Sequence, residues 1–204
     1  IKPEHMRDIV IGGFAVATVA VYPVELRDGT LEVYDRIDVS VTTRVADAAP
    51  VARERYRDGF LETMRAQLSA MVVNPEAIDT YSIGQVVVPK PHGFQPTAFP
   101  SLEGSPVDYL IITTDALAAS YQPLADWKTD KGVPTVIRTV EYIAANARNG
   151  SDLAETIRNF IEEAYTKWGI TYCLIGGDTE QVPVRFAFSA FYAGGKNLPA
   201  DMYY

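Results

Sequence analysis

With 204 residues, 48% of them hydrophobic and 22% charged, the chain can bury a real core and is too apolar for general disorder. A formal charge of −8 argues against nucleic-acid and anionic-membrane partners, whose binding draws on clustered Lys and Arg. One cysteine, Cys173, excludes an internal disulfide framework and any zinc site built from several cysteines.

The chain opens at Ile1 without a signal-peptide pattern, and the expectation is that an upstream segment has been removed. Its longest apolar stretch, 9–24, is interrupted by Gly12, Gly13 and Pro23 and is too short to span a bilayer. Phe14, Val16 and Val19–Val21 precede Tyr22-Pro23, where proline confines the chain to a strand end or edge. Asp28-Gly29 supplies a hairpin turn, and Leu31, Val33, Ile37, Val39 and Val41 continue with period two. After Asp47-Ala48-Ala49-Pro50 the period changes. Tyr56, Phe60, Met64, Leu68 and Met71 recur at helical spacing, predicting a helix within 51–73 that ends at Asn74-Pro75. Arg53, Arg55 and Arg57 alternate with Glu54 and Asp58 and read as a solvated face. Pro89, Pro91, Pro96, Pro100 and Pro106 break any periodicity, so 89–106 reads as a linker between two units.

The second unit alternates strand and helix. Tyr109–Thr113 has the continuous apolar character of a buried parallel strand. A helix through Leu117, Tyr121, Leu124 and Trp127 follows, ended by Gly132, with Pro123 either kinking it or opening its main segment. Thr135–Ile137 is a second strand. Asp152 and Glu155 match a capping box for a long helix whose apolar face runs from Leu153 through Ile157, Phe160 and Ala164 to Trp168, closed by Gly169. Tyr172–Ile175 is a third strand. The predicted fold class is therefore α/β: a β-rich module with one long helix (1–88), a Pro/Gly-rich linker (89–106), and a parallel-sheet α/β half-domain (107–204).

Ligand sites of open α/β sheets lie beyond the carboxyl ends of the strands, here Thr113-Thr114-Asp115 and Gly176-Gly177-Asp178. Asp178 has two readings: its carboxylate meets a cation, or it satisfies backbone N–H groups of its own turn. The Gly-Gly-Asp lacks every phosphate-loop pattern. Cys173, flanked by apolar strand residues, reads as a small buried hydrophobe, and neither His5 nor His92 falls near it in sequence to act as a base. Nor is there a Gly-x-Ser-x-Gly elbow for serine chemistry.

The order Tyr109–Thr113, Gln122–Lys128 with Lys131-Gly132, Ile157–Ile161 with Ala164-Tyr165, Tyr172–Asp178, Gln181-Val182-Pro183 and Pro199–Tyr204 resembles the opening of gingipain-like cysteine peptidases. More loosely, 11–41 is similar to the β-rich propeptide of that family. The resemblance implies a caspase-related fold, secretion to the cell surface or medium, and cleavage of protein or peptide substrates. It places the catalytic Cys–His dyad in segments that would follow Tyr204, so no catalytic residue is expected within this chain, whose partner would be the missing C-terminal half. It also implies a structural calcium ion with Asp178 as one ligand and the remaining ligands elsewhere. Two other functions compete: a non-enzymatic propeptide or interaction module that restrains a catalytic partner, and a small-molecule-binding α/β domain using the Gly176-Gly177-Asp178 mouth.

Overall fold

The computed structural model describes residues 4–42, 53–57, 59–80, 85–87, 93–189 and 195–204. His92, the Asp47–Pro50 boundary and the first two residues of the expected helix lie outside them. The chain divides into two compact units: 1–52 with 64–82, and 53–63 with 83–204.

The first unit holds two antiparallel hairpins. Strands β1 (Glu4–Ile11) and β2 (Phe14–Ala20) meet through Gly12-Gly13, with a register shift between His5 and Arg7. Strands β3 (Val24–Arg27) and β4 (Thr30–Val33) are joined as expected by Asp28-Gly29, both at positive φ (51° and 80°). Pro23 sits between strands, where its missing N–H costs no ladder bond. The period-two pattern beyond Val33 does not form a strand. Val39 and Val41 stay 41% and 62% exposed, so the alternation has no buried face to serve.

The predicted helix is real but shorter: α1 is Phe60–Met71. Tyr56, placed on the helical stripe by its spacing, belongs instead to a short strand β5 (Arg55–Arg57), which pairs in parallel with β6 (Gln85–Val87). Of the alternating charges expected to form a solvated face, Glu54 and Arg57 are exposed but two others are not. Arg53 and Arg55 are buried, at 2% and 4% exposure, because carbonyl oxygens receive their guanidinium groups.

The second unit is built on a three-stranded parallel sheet in the order β8-β7-β9, with β7 (Tyr109–Thr113) in the centre, β8 (Thr135–Thr139) and β9 (Tyr172–Ile175). Between β7 and β8 runs α2 (Asp115–Asp130), unbroken through Pro123. After β8 comes α3 (Val140–Asn146), a helix that sequence reading missed; Thr139 caps it by accepting from the Tyr142 N–H. The capping box at α4 (Leu153–Glu163) forms in part: Asp152 Oδ1 accepts from Glu155 N–H at 2.9 Å, but Glu155 Oε2 accepts from the N–H of Ser151, one residue before the cap, at 2.6 Å. Leu110, Ile112, Ile143, Ile157, Phe160, Ala164 and Trp168 make the core, with Trp168 edge-on to Phe160. A last hairpin, β10 (Arg185–Ser189) with β11 (Lys196–Ala200), follows β9. Residues 93–106 are fastened to this unit rather than free: Phe94 packs on its core, and Thr97 Oγ1 accepts from Trp168 Nε1 at 2.8 Å.

Gly169 is packed tightly against backbone. It ends the wide helical turn Ala164–Trp168 at φ +79°, and a Cβ there would lie 2.6 Å from the Arg55 carbonyl oxygen. Gly169→Ala is therefore expected to cost more than about 2 kcal/mol, combining left-handed strain with the forced retreat of β5. Urea denaturation of both chains at one pH measures it; a loss under half that would show that β5 can move away freely.

Candidate active site

All three parallel strands point their carboxyl ends the same way, so the residues that follow them form one rim. At the end of β7, buried Thr113 donates its hydroxyl to the Gly176 carbonyl at 2.5 Å, bridging to the end of β9. Glu141, in the first turn of α3, accepts from the Asp115 N–H at 3.0 Å. A carboxylate there satisfies a donor that a helix start leaves unpaired and faces its positive dipole end. Gly176 lies under Tyr121, whose ring a Cβ would meet at 2.7 Å, so this rim position accepts only glycine without displacement.

Asp178 organises the turn that follows. Its Oδ1 accepts from the Thr179 N–H at 2.6 Å, and its carbonyl accepts from the N–H groups of Gln181 and Val182, both at 2.9 Å. Its own N–H donates to Gln181 Oε1 at 2.8 Å. Val182 is thereby held in the core, 2% exposed. Asp178 lies, exposed, at a cavity of about 190 Å³ that Thr179, Pro199 and Asp201 also line. Two carboxylates on one cavity suit a hard cation, but calcium takes six to eight oxygens. Among the described residues no group of three acidic, His or Cys side chains converges. The donor set present does not fit a complete calcium centre.

Cys173 sits mid-strand on β9, in register with Leu110, rather than at the rim. Contrary to the expected burial, its side chain is exposed, because β9 pairs with β7 and with no other described strand. The surrounding protein nonetheless pushes its thiol up to about 12 by desolvation. Solvent contact moderates that shift, and desolvation is its one cause among the described residues, so the neutral thiol prevails at pH 7. His5 belongs to β1, in the other unit.

A larger cavity, about 610 Å³, lies on the flank of α2 and β8 and includes Phe94, Gln122, Asp126, Asp130 and Arg138. Among the described residues, neither rim segment lines it.

The rim, the strand order and the turn at Asp178 sit within residues 103–204, which match the model of peptidase family C25. The chain belongs to that family, the gingipain family of cysteine peptidases. Neither the curated proteins nor the solved structures contain a match to it. Within this C25 chain, sequence reading placed the rim segments where the structure has them. It missed Glu141 and the β10–β11 hairpin, although Arg185-Phe186-Ala187-Phe188-Ser189 carries a period-two signal.

Two outcomes are expected from this geometry. The reaction of Cys173 with a disulfide reagent should rise steadily with pH through 9 and 10, because its raised pKa delays the thiolate; a plateau near neutrality would reveal an activated thiol. Millimolar calcium should leave the Tm unchanged. A rise that Asp178→Asn removes would mean that the cavity completes its ligand set after all.

Proposed function

We propose that these residues form the N-terminal part of a secreted gingipain-like cysteine endopeptidase: a propeptide-like β module followed by the non-catalytic half of the peptidase domain. The observation that carries this reading is the state of Cys173. A cysteine nucleophile needs a base within hydrogen-bond reach and a thiolate available near pH 7; Cys173 instead sits mid-strand on β9, and desolvation pushes its thiol up to about 12. On this reading a second cysteine and a histidine are contributed from sequence after Tyr204. That thiolate would attack the scissile carbonyl, and the histidine would pass the proton to the leaving amine, giving an acyl-enzyme that water resolves.

The free edge of β9 supports the same reading. β9 is bonded on one side only among the described strands, and Tyr172 at its start is 56% exposed. An unpaired edge beside the rim is where a further strand would join. In this arrangement Thr113, Asp115, Glu141 and Gly176 shape the floor of the site, and the reacting groups arrive on the added strands.

Peptide-cleavage assays under reducing conditions test the proposal. The 204-residue chain should show no thiol-dependent hydrolysis, and Cys173→Ala should change nothing. In the full-length gene product, a chloromethyl ketone should label a cysteine other than Cys173. Labelling of Cys173 with loss of activity would overturn the proposal.

A further inference from the structure

Neither the sheet nor the proposed chemistry accounts for three arginines in five residues at 53–57. Arg53 carries its charge to a position 2% exposed, and desolvation there lowers its pKa. Its guanidinium lies 4.5 Å from the ring centroids of both Phe60 and Tyr165 and 5.6 Å from that of Tyr56. Nη2 donates to the Gly169 carbonyl at 2.9 Å and also to that of Ile170. Aromatic faces with carbonyl oxygens at the planar edge are a recognition chemistry for guanidinium, which an ammonium matches poorly.

The neighbouring contacts repeat the theme. Arg55 Nη2 donates to the Gly104 carbonyl at 2.7 Å, and Arg57 donates to the Gly132 carbonyl at 2.7 Å and to Asp108 Oδ2 at 2.8 Å. The Glu54 N–H donates to the Thr166 carbonyl at 3.0 Å. Gly132, Asp108 and Gly169-Ile170 all shortly precede strands β8, β7 and β9, so these groups lie at the amino edge of the sheet, opposite the rim. A buried cation is a poor source of stability compared with an apolar side chain of equal volume; what it adds is a directional fit.

We infer that the amino edge of the α/β unit is a docking surface for residues 53–57 of this same chain, and that these residues form an arginine strap which stays attached without covalent continuity. Removal of the β-rich module by processing would then cut before Arg53 and leave the strap on the peptidase unit. A cut between Thr80 and Gly93 would not release it.

Insertion of a sequence-specific protease site between Pro91 and His92 of the full chain tests this without reference to activity, so it stands or falls separately from the catalytic proposal. After cutting, the two pieces should co-elute on native gel filtration and separate only in denaturant. Because the N-terminal piece carries other surfaces too, the strap is isolated by Arg53→Ala with Arg57→Ala, which should speed dissociation at least about tenfold. Arg53→Lys keeps the charge and guards against misfolding; it should also speed dissociation, and hydrogen exchange at 164–170 should rise in the uncut chain. Separation of the parent pieces without denaturant overturns the inference. So does retention by the double variant or by Arg53→Lys equal to the parent's.

Discussion

Each arginine of the 53–57 segment ends on the carbonyl of a glycine held at positive φ: Gly169 at +79°, Gly104 at +72° and Gly132 at +81°. The pairing has a physical cause. A left-handed residue terminates a helix or turn, so the carbonyls around it are not consumed by the i to i+4 ladder and remain free to accept. Gly169 follows the helical turn after α4, and Gly132 follows α2, so two of the guanidinium groups also sit at the negative ends of helices. A cation in that position gains from the dipole and from the hydrogen bond together. That offsets part of the cost of taking it out of water.

This constraint orders the rest of the second unit. The strap needs the helix ends and the strand starts to lie at one edge, and a parallel sheet with returning helices delivers them there. The opposite edge is then left with the helix starts and the rim residues, and it is bound up differently. Thr113 ties β7 to Gly176, Glu141 ties α3 to the first N–H of α2, and Tyr121 roofs Gly176. One edge holds the chain together through charged donors and carbonyls. The other is tied by neutral and carboxylate groups to backbone.

The α/β architecture was legible in the sequence because its signals are local and strong. Apolar runs in β7 and β9, the Asp152–Glu155 capping box and the closing Gly169 each name their element without tertiary help. The Asp-Gly turn of the first hairpin is of the same kind. What failed was inference from pattern where burial is decided by distant partners. Charge alternation at 53–58 looks the same whether guanidinium groups face water or meet carbonyls more than a hundred residues later, as those of Gly169 do for Arg53. Tyr56 fell on the helical stripe by spacing, yet it belongs to a strand whose partner is β6. Cys173 looked buried because its neighbours are apolar; its exposure depends on how many strands flank β9, which no local window contains.

The same logic bears on how a C25 site can be assembled on this rim. Catalytic groups must be held within a fraction of an ångström by side chains whose own positions are locked. Thr113 and Gly176 meet this standard here: the Thr113 hydroxyl is engaged with the Gly176 carbonyl, and Tyr121 fills the space over Gly176. A group so engaged is a good foundation and a poor reagent, since its hydrogen-bonding capacity is spent on geometry. On the proposed reading a nucleophile and base would join at the outer edge of β9, which, like that of β8, pairs with no other described strand.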